Sequence, residues 1–162
     1  MKYNEVRERI RSGDLLAFSR SSWTSSIIRI FTRSTYSHVG VAWVTGGRVF
    51  VLEAVGHGGT RIFPLSLSGD FFLLPVRAPW TPSVEEYALE NVGIQYSVID
   101  AIRAYFGPLP RGNMRECAAY VLAIYRRACI DLGDRSTPDA VVTAAQGRRA
   151  TETIFVTNPG KV

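Results

Sequence analysis

The chain has 162 residues, of which 46% are hydrophobic and 20% charged, with a formal net charge of +5 and a pI near 9.6. This size and balance fit a single domain over residues 1–162 with a true core, and they exclude a long disordered or low-complexity chain. The arginines are scattered, with only the short pairs Arg126-Arg127 and Arg148-Arg149, which argues against specific nucleic-acid binding and leaves an anionic wall or membrane surface as the partner the charge would suit.

Asn4 is expected to cap a short helix over 5–12 that Gly13 stops, and Asp14-Leu15-Leu16-Ala17-Phe18 reads as a first strand. Residues 21–34 carry Trp23, Ile27, Ile28, Ile30 and Phe31 at amphipathic-helix spacing. Residues 37–45 and 48–55 flank Gly46-Gly47, a strong two-residue hairpin signal. Counting outward from that turn, 45 faces 48, 43 faces 50 and 40 faces 53. The partner of His38 is then position 55, diagonal to Glu53 on the same sheet face, with room for a bulge near Gly40.

Gly56-His57-Gly58-Gly59 reads as a loop, and 61–65 and 71–76 as short strands. Helices are expected over 83–92, 97–106, 114–131 and 138–146, the last opened by Thr137-Pro138, with a terminal strand over 152–156. Strands followed by helices argue for an α+β fold with an antiparallel sheet.

The most informative stretch is Gly112-Asn113-Met114-Arg115-Glu116-Cys117. Asn113 is a good N-cap, and Glu116 three residues on completes a capping box. That reading puts Cys117 in the first turn, where the helix dipole favours a thiolate and the Cys117 N–H could serve as an oxyanion donor. A histidine on a strand, His38, supplies a base, and Glu53 would orient its ring. Glu53 lies among Val51, Leu52, Ala54 and Val55, where a charge needs a partner. Tyr36 and Ser37, just before His38, are candidates for a second oxyanion donor or a substrate contact. His57, among three glycines, is the alternative orienter.

The plain readings stay beside these. A helical cysteine is commonly a small buried hydrophobe, and Cys129 is read that way. Twelve residues along one helix would separate the two cysteines by about 18 Å, too far for a disulfide. Two histidines and two cysteines without finger spacing give no metal site, and no cofactor is expected. The first ten residues contain no apolar signal segment, and no run approaches the roughly 18 apolar residues of a membrane span. The expectation is a protein made in the cytoplasm, with a phage-encoded origin or a non-classical export route left open.

Gly13-Asp14-Leu15-Leu16, Tyr36-Ser37-His38-Val39-Gly40, Leu52-Glu53-Ala54, Gln95-Tyr96-Ser97, the Cys117 helix and Ser136-Thr137-Pro138-Asp139 follow one another in order. As an ordered set over residues 12–146, they resemble the circularly permuted, NlpC-like branch of the papain-like cysteine hydrolases, of the YiiX/YebB type. The histidine preceding the cysteine is the permuted order. The resemblance implies a papain-like α+β fold, a sheet or half-barrel carrying the histidine and packed against helices. It also implies a triad mapping onto Cys117, His38 and Glu53. Relatives often follow the cysteine with Ser-Glu, where this chain has Ala118-Ala119.

The resulting expectation is a cysteine hydrolase that cleaves an amide bond in a peptidoglycan stem peptide or related small peptide through an acyl-enzyme. Two alternatives remain. One is a lipid acyl hydrolase or acyltransferase of the lecithin:retinol acyltransferase-like type, with the Trp23–Phe31 stripe facing a membrane. The other is a non-catalytic binding module.

Overall fold

The structure, a computed structural model, describes residues 1–19, 35–55, 59–93, 113–148, 150 and 152–158, with backbone alone for 113–116. The amphipathic segment 21–34, the loop residue His57 and the helix expected over 97–106 lie outside the described residues.

Six strands form one sheet, and each strand runs antiparallel to its neighbours. They are β1 (Leu15–Ser19), β2 (Tyr36–Thr45), β3 (Arg48–Val55), β4 (Gly59–Pro64), β5 (Phe71–Leu74) and β6 (Ile154–Val156). Their order across the sheet is β4-β3-β2-β1-β5-β6. Four α-helices are described: α1 (Tyr3–Val6), α2 (Pro82–Glu90), α3 (Asn113–Arg127) and α4 (Pro138–Arg148). The architecture is α+β, as the element order predicts.

The hairpin at Gly46-Gly47 has the register counted from the sequence: Thr45 pairs with Arg48, Trp43 with Phe50 and Val41 with Leu52. Both turn glycines have positive φ, 54° and 70°, the geometry a two-residue loop needs and side chains resist. Gly40 is required for a different reason. A Cβ there would lie 2.4 Å from Val51 Cγ2 and 2.9 Å from the Leu52 carbonyl oxygen. The close approach holds β2 against β3 between the positions of His38 and Glu53.

Period-two alternation gives the sheet two apolar faces. Leu15, Ala17, Val39, Val41, Leu52, Ala54 and Leu74 pack with Val84 and Ala88 of α2, Val121 and Ile124 of α3, and Val141 and Ala145 of α4. Leu16, Phe18, Ala42, Val51, Phe71 and Leu73 pack with Tyr3, Val6 and Ile10 of the N-terminal segment. The helices are tied to this frame through specific polar contacts. Buried Tyr125 of α3 donates to the Gly13 carbonyl at 3.1 Å, and Tyr120 donates to the Ala88 carbonyl of α2 at 2.7 Å. Asp14, fully buried, accepts from the backbone N–H groups of Arg11 at 2.9 Å and Arg77 at 3.1 Å. This fixes the entry into β1.

Some boundaries differ from the pattern reading. α1 begins before Asn4, with Lys2 at the cap position and the Glu5 carboxylate closing back on the Lys2 N–H at 2.8 Å. It runs into a 3-10 turn over Arg7–Arg9 instead of continuing to residue 12. α2 starts as expected, with Thr81 Oγ1 accepting from the Val84 N–H and Pro82 in the first turn. α3 stops at Arg127, short of the expected 131. Cys129 adopts φ 57°, the Ile130 N–H returns to the Tyr125 carbonyl, and the Cys129 N–H returns to the Arg126 carbonyl. That is a Schellman stop with cysteine at the position glycine usually fills. Cys129 is therefore exposed, which corrects its reading as a small buried hydrophobe.

Candidate active site

His38 lies two residues into β2, where its Cα partner on β1 is Phe18. The two rings pack with centroids 5.6 Å apart. The Nε2 of His38 meets Glu53 Oε2 at 2.7 Å. One residue of each strand, brought together by a two-residue hairpin, thus forms a buried pair, with His38 7% and Glu53 2% exposed. The second hydrogen-bonding partner of the imidazole is the Cys117 side chain of α3, which is itself fully buried. With Nε2 committed to Glu53, the ring nitrogen left for the sulfur is Nδ1.

The electrostatics follow from these contacts. Burial alone would lower the His38 pKa. The Cys117 sulfur and its hydrogen bond, and then the Glu53 hydrogen bond and charge, outweigh burial and raise it from 6.5 to about 9. Burial likewise pushes the Glu53 carboxyl up, but His38 and then Arg61 overcome it and hold it below its ordinary 4.5. The protonated imidazole is therefore favoured at neutral pH, with the Glu53 carboxylate as the acceptor at Nε2.

Arg61 was not singled out by its sequence position. It is the cross-strand partner of Glu53 on β4, and its Nε and Nη2 both approach Glu53 Oε1, at 2.8 and 2.7 Å. The signal lay in the β3–β4 register, but a loop read as residues 56–59 would set 53 opposite 62; the observed pairing of Val55 with Gly59 is what sets 53 opposite 61. The cost of burying Glu53 called for a partner, and the structure supplies two.

The remaining candidates fall as follows. The Tyr36 N–H donates to Asp139 Oδ1 in the first turn of α4, at 3.1 Å, and the Ser37 hydroxyl donates to the Phe18 carbonyl at 3.3 Å. These two donors hold the start of β2 in place. Burial and the Asp139 charge raise the Tyr36 phenol above its ordinary value, so it stays protonated and keeps its capacity to donate. His57 is outside the described residues. Cys117 is the fifth described residue of α3 (Asn113–Arg127), and the residues directly before Asn113 lie outside the described residues. The side chains of Asn113 and Glu116 lie outside the description.

No protein-family model matches the chain, and no curated protein matches it at a significant level. In three dimensions it is similar to the crystal structure of the metalloprotein YiiX from Escherichia coli O157:H7. The similarity has a TM-score of 0.52 and 22% sequence identity, and covers 93% of this chain and 89% of that one. The two chains share a fold.

Proposed function

We propose that this protein is a cysteine hydrolase in which Cys117 is the nucleophile, His38 the acid–base group and Glu53 its orienter. One observation carries the reading: a continuous buried hydrogen-bond series runs from Cys117 through His38 to Glu53. A nucleophile, a base and a third group that fixes the base are the parts acyl transfer requires. The fold shared with YiiX and the permuted order of histidine before cysteine support the same reading.

The Cys117 thiolate attacks the carbonyl carbon of an amide, forming a carbon–sulfur bond and an oxyanion. As the tetrahedral species collapses, the carbon–nitrogen bond breaks and the leaving amine takes the proton held by His38. A thioester remains on Cys117. The neutral imidazole then accepts a proton from water as the oxygen attacks the thioester, releasing the carboxylic acid and restoring the thiolate and the imidazolium. Glu53 stays ionised throughout and stabilises the imidazolium.

The neighbouring structure is described as a metalloprotein. Among the residues described here, no group of three or more His, Cys, Asp or Glu side chains could hold a metal ion. Both ring nitrogens of His38 already have partners within the chain. The donor set does not fit a metal, and no step is routed through one.

The substrate class favoured is an amide in a peptidoglycan stem peptide or related small peptide, an assignment that the basic charge of +5 supports through attraction to an anionic wall. The test is incubation of the protein with muropeptides and, separately, with phospholipid vesicles, followed by intact-mass and peptide mapping. An acyl adduct on Cys117 from the muropeptides is expected. An adduct from lipid alone would replace the peptide reading with the acyltransferase one. No adduct from either, with Cys117 unreactive to iodoacetamide, would make the domain a binding module.

A further inference from the structure

The proposed triad ends at Glu53, but the polar series does not. We infer that Arg61 is a positioning residue of this site: its guanidinium clamps one oxygen of Glu53 so that the other is presented to His38. The inference rests on the hydrolase reading above for its catalytic meaning, and on geometry for its content. Nε and Nη2 of Arg61 converge on Oε1 at 2.8 and 2.7 Å, while Oε2 alone faces His38 at 2.7 Å. The two carboxylate oxygens are divided between two cations, one from each flanking strand.

A carboxylate with one partner can turn about its last torsion and offer either oxygen. With Oε1 held twice, Glu53 has a single arrangement, and the imidazole ring it holds has one as well. A planar fork is suited to this two-point grip, and a lysine ammonium is not. The Arg61 side chain is 39% exposed, against 2% for Glu53, and its guanidinium carbon lies 4.7 Å over the Phe63 ring. The aromatic face supports the guanidinium from below, so the clamp is held from two sides. Glu53 faces His38 from β2 and Arg61 from β4, and His38 faces Glu53 from β3 and Cys117 from α3. These groups are the causes that shift the titration of the pair.

The test titrates the Glu53 side-chain carboxyl by carbon-detected NMR in the full chain, in wild type, Arg61→Gln and Arg61→Lys. Arg61→Gln should raise the Glu53 midpoint by about one pH unit or more, the size expected for loss of a neighbouring opposite charge. Arg61→Lys should fall between, restoring charge without the fork. In parallel, the acid limb of Cys117 alkylation, followed in a Cys129→Ser background, should move up in pH with the Glu53 midpoint. Equal Glu53 midpoints in all three proteins would overturn the inference. Failure of the hydrolase reading looks different. His38→Ala would then leave the Cys117 alkylation rate unchanged, while the Glu53 titration would still decide the role of Arg61.

Discussion

Under the proposed reading, His38 is hydrogen-bonded to the Cys117 sulfur and its pKa is raised to about 9, so a full positive charge stands in contact with the nucleophile. Reactivity should therefore follow the histidine. Cys117→Ala and His38→Ala are each expected to reduce turnover at least about 1000-fold, and the double variant should be no slower than the slower single one, because both act as a unit. Steady-state rates on a substrate that acylates Cys117 check this. A double variant slower than either single by the product of their effects would show two independent contributions. Glu53→Gln should keep the geometry and reduce the rate less, since the amide can still hold the ring but carries no charge to stabilise the imidazolium.

At the scale of elements, α3 ends with a cysteine in a backbone conformation suited to glycine, at φ 57°. Left-handed geometry costs a side-chain-bearing residue about 1 kcal/mol. The Cys129 side chain is exposed, so little packing is lost by removing it. Cys129→Gly is expected to stabilise the protein by about 1 kcal/mol, and to raise Tm by about 2–4 °C for a chain of this size. Urea denaturation with an unchanged slope measures it. A lower midpoint would mean that the cysteine makes contacts worth more than the strain it carries. The same variant leaves Cys117 as the only thiol, which makes alkylation a clean report on the site.

For the whole molecule, the buried pair links stability to pH. The unfolded imidazole releases its proton near 6.5 and the folded one near 9. Between these values the folded state holds the extra proton, so stability is complete below about 6.5 and falls as pH rises through about 9. Glu53, lowered from 4.5, acts in the opposite sense, giving stability above that value that disappears as pH falls through its folded pKa. Denaturant unfolding at pH 6, 7.5 and 9 should show the decline in wild type and a smaller one in His38→Gln. Equal slopes in both would remove His38 as the cause. Working below pH 9.5 keeps Tyr120 and Tyr125 out of the comparison, since burial holds both phenols well above 10.

Features that depend on neighbours along the chain were legible in the amino-acid order. The Gly46-Gly47 turn set the β2–β3 register, and register alone brought positions 38 and 53 onto one face, because side-chain direction alternates with period two. The charge of Glu53 in an apolar strand announced that a partner existed. Features that depend on distant segments meeting came from the assembled fold. It chose Arg61 as the second partner of Glu53, through the pairing of β4 with β3. It brought Cys117, in a separate helix, to His38, and it gave the Tyr36 N–H to Asp139 of α4. It also decided the C-terminal end of α3, where local patterns were least informative. The stop uses a cysteine in place of the glycine that would have signalled it. Hydrophobic periodicity fixes which face of an element is buried. Only the assembled sheet and helices fix which polar groups that burial places in contact.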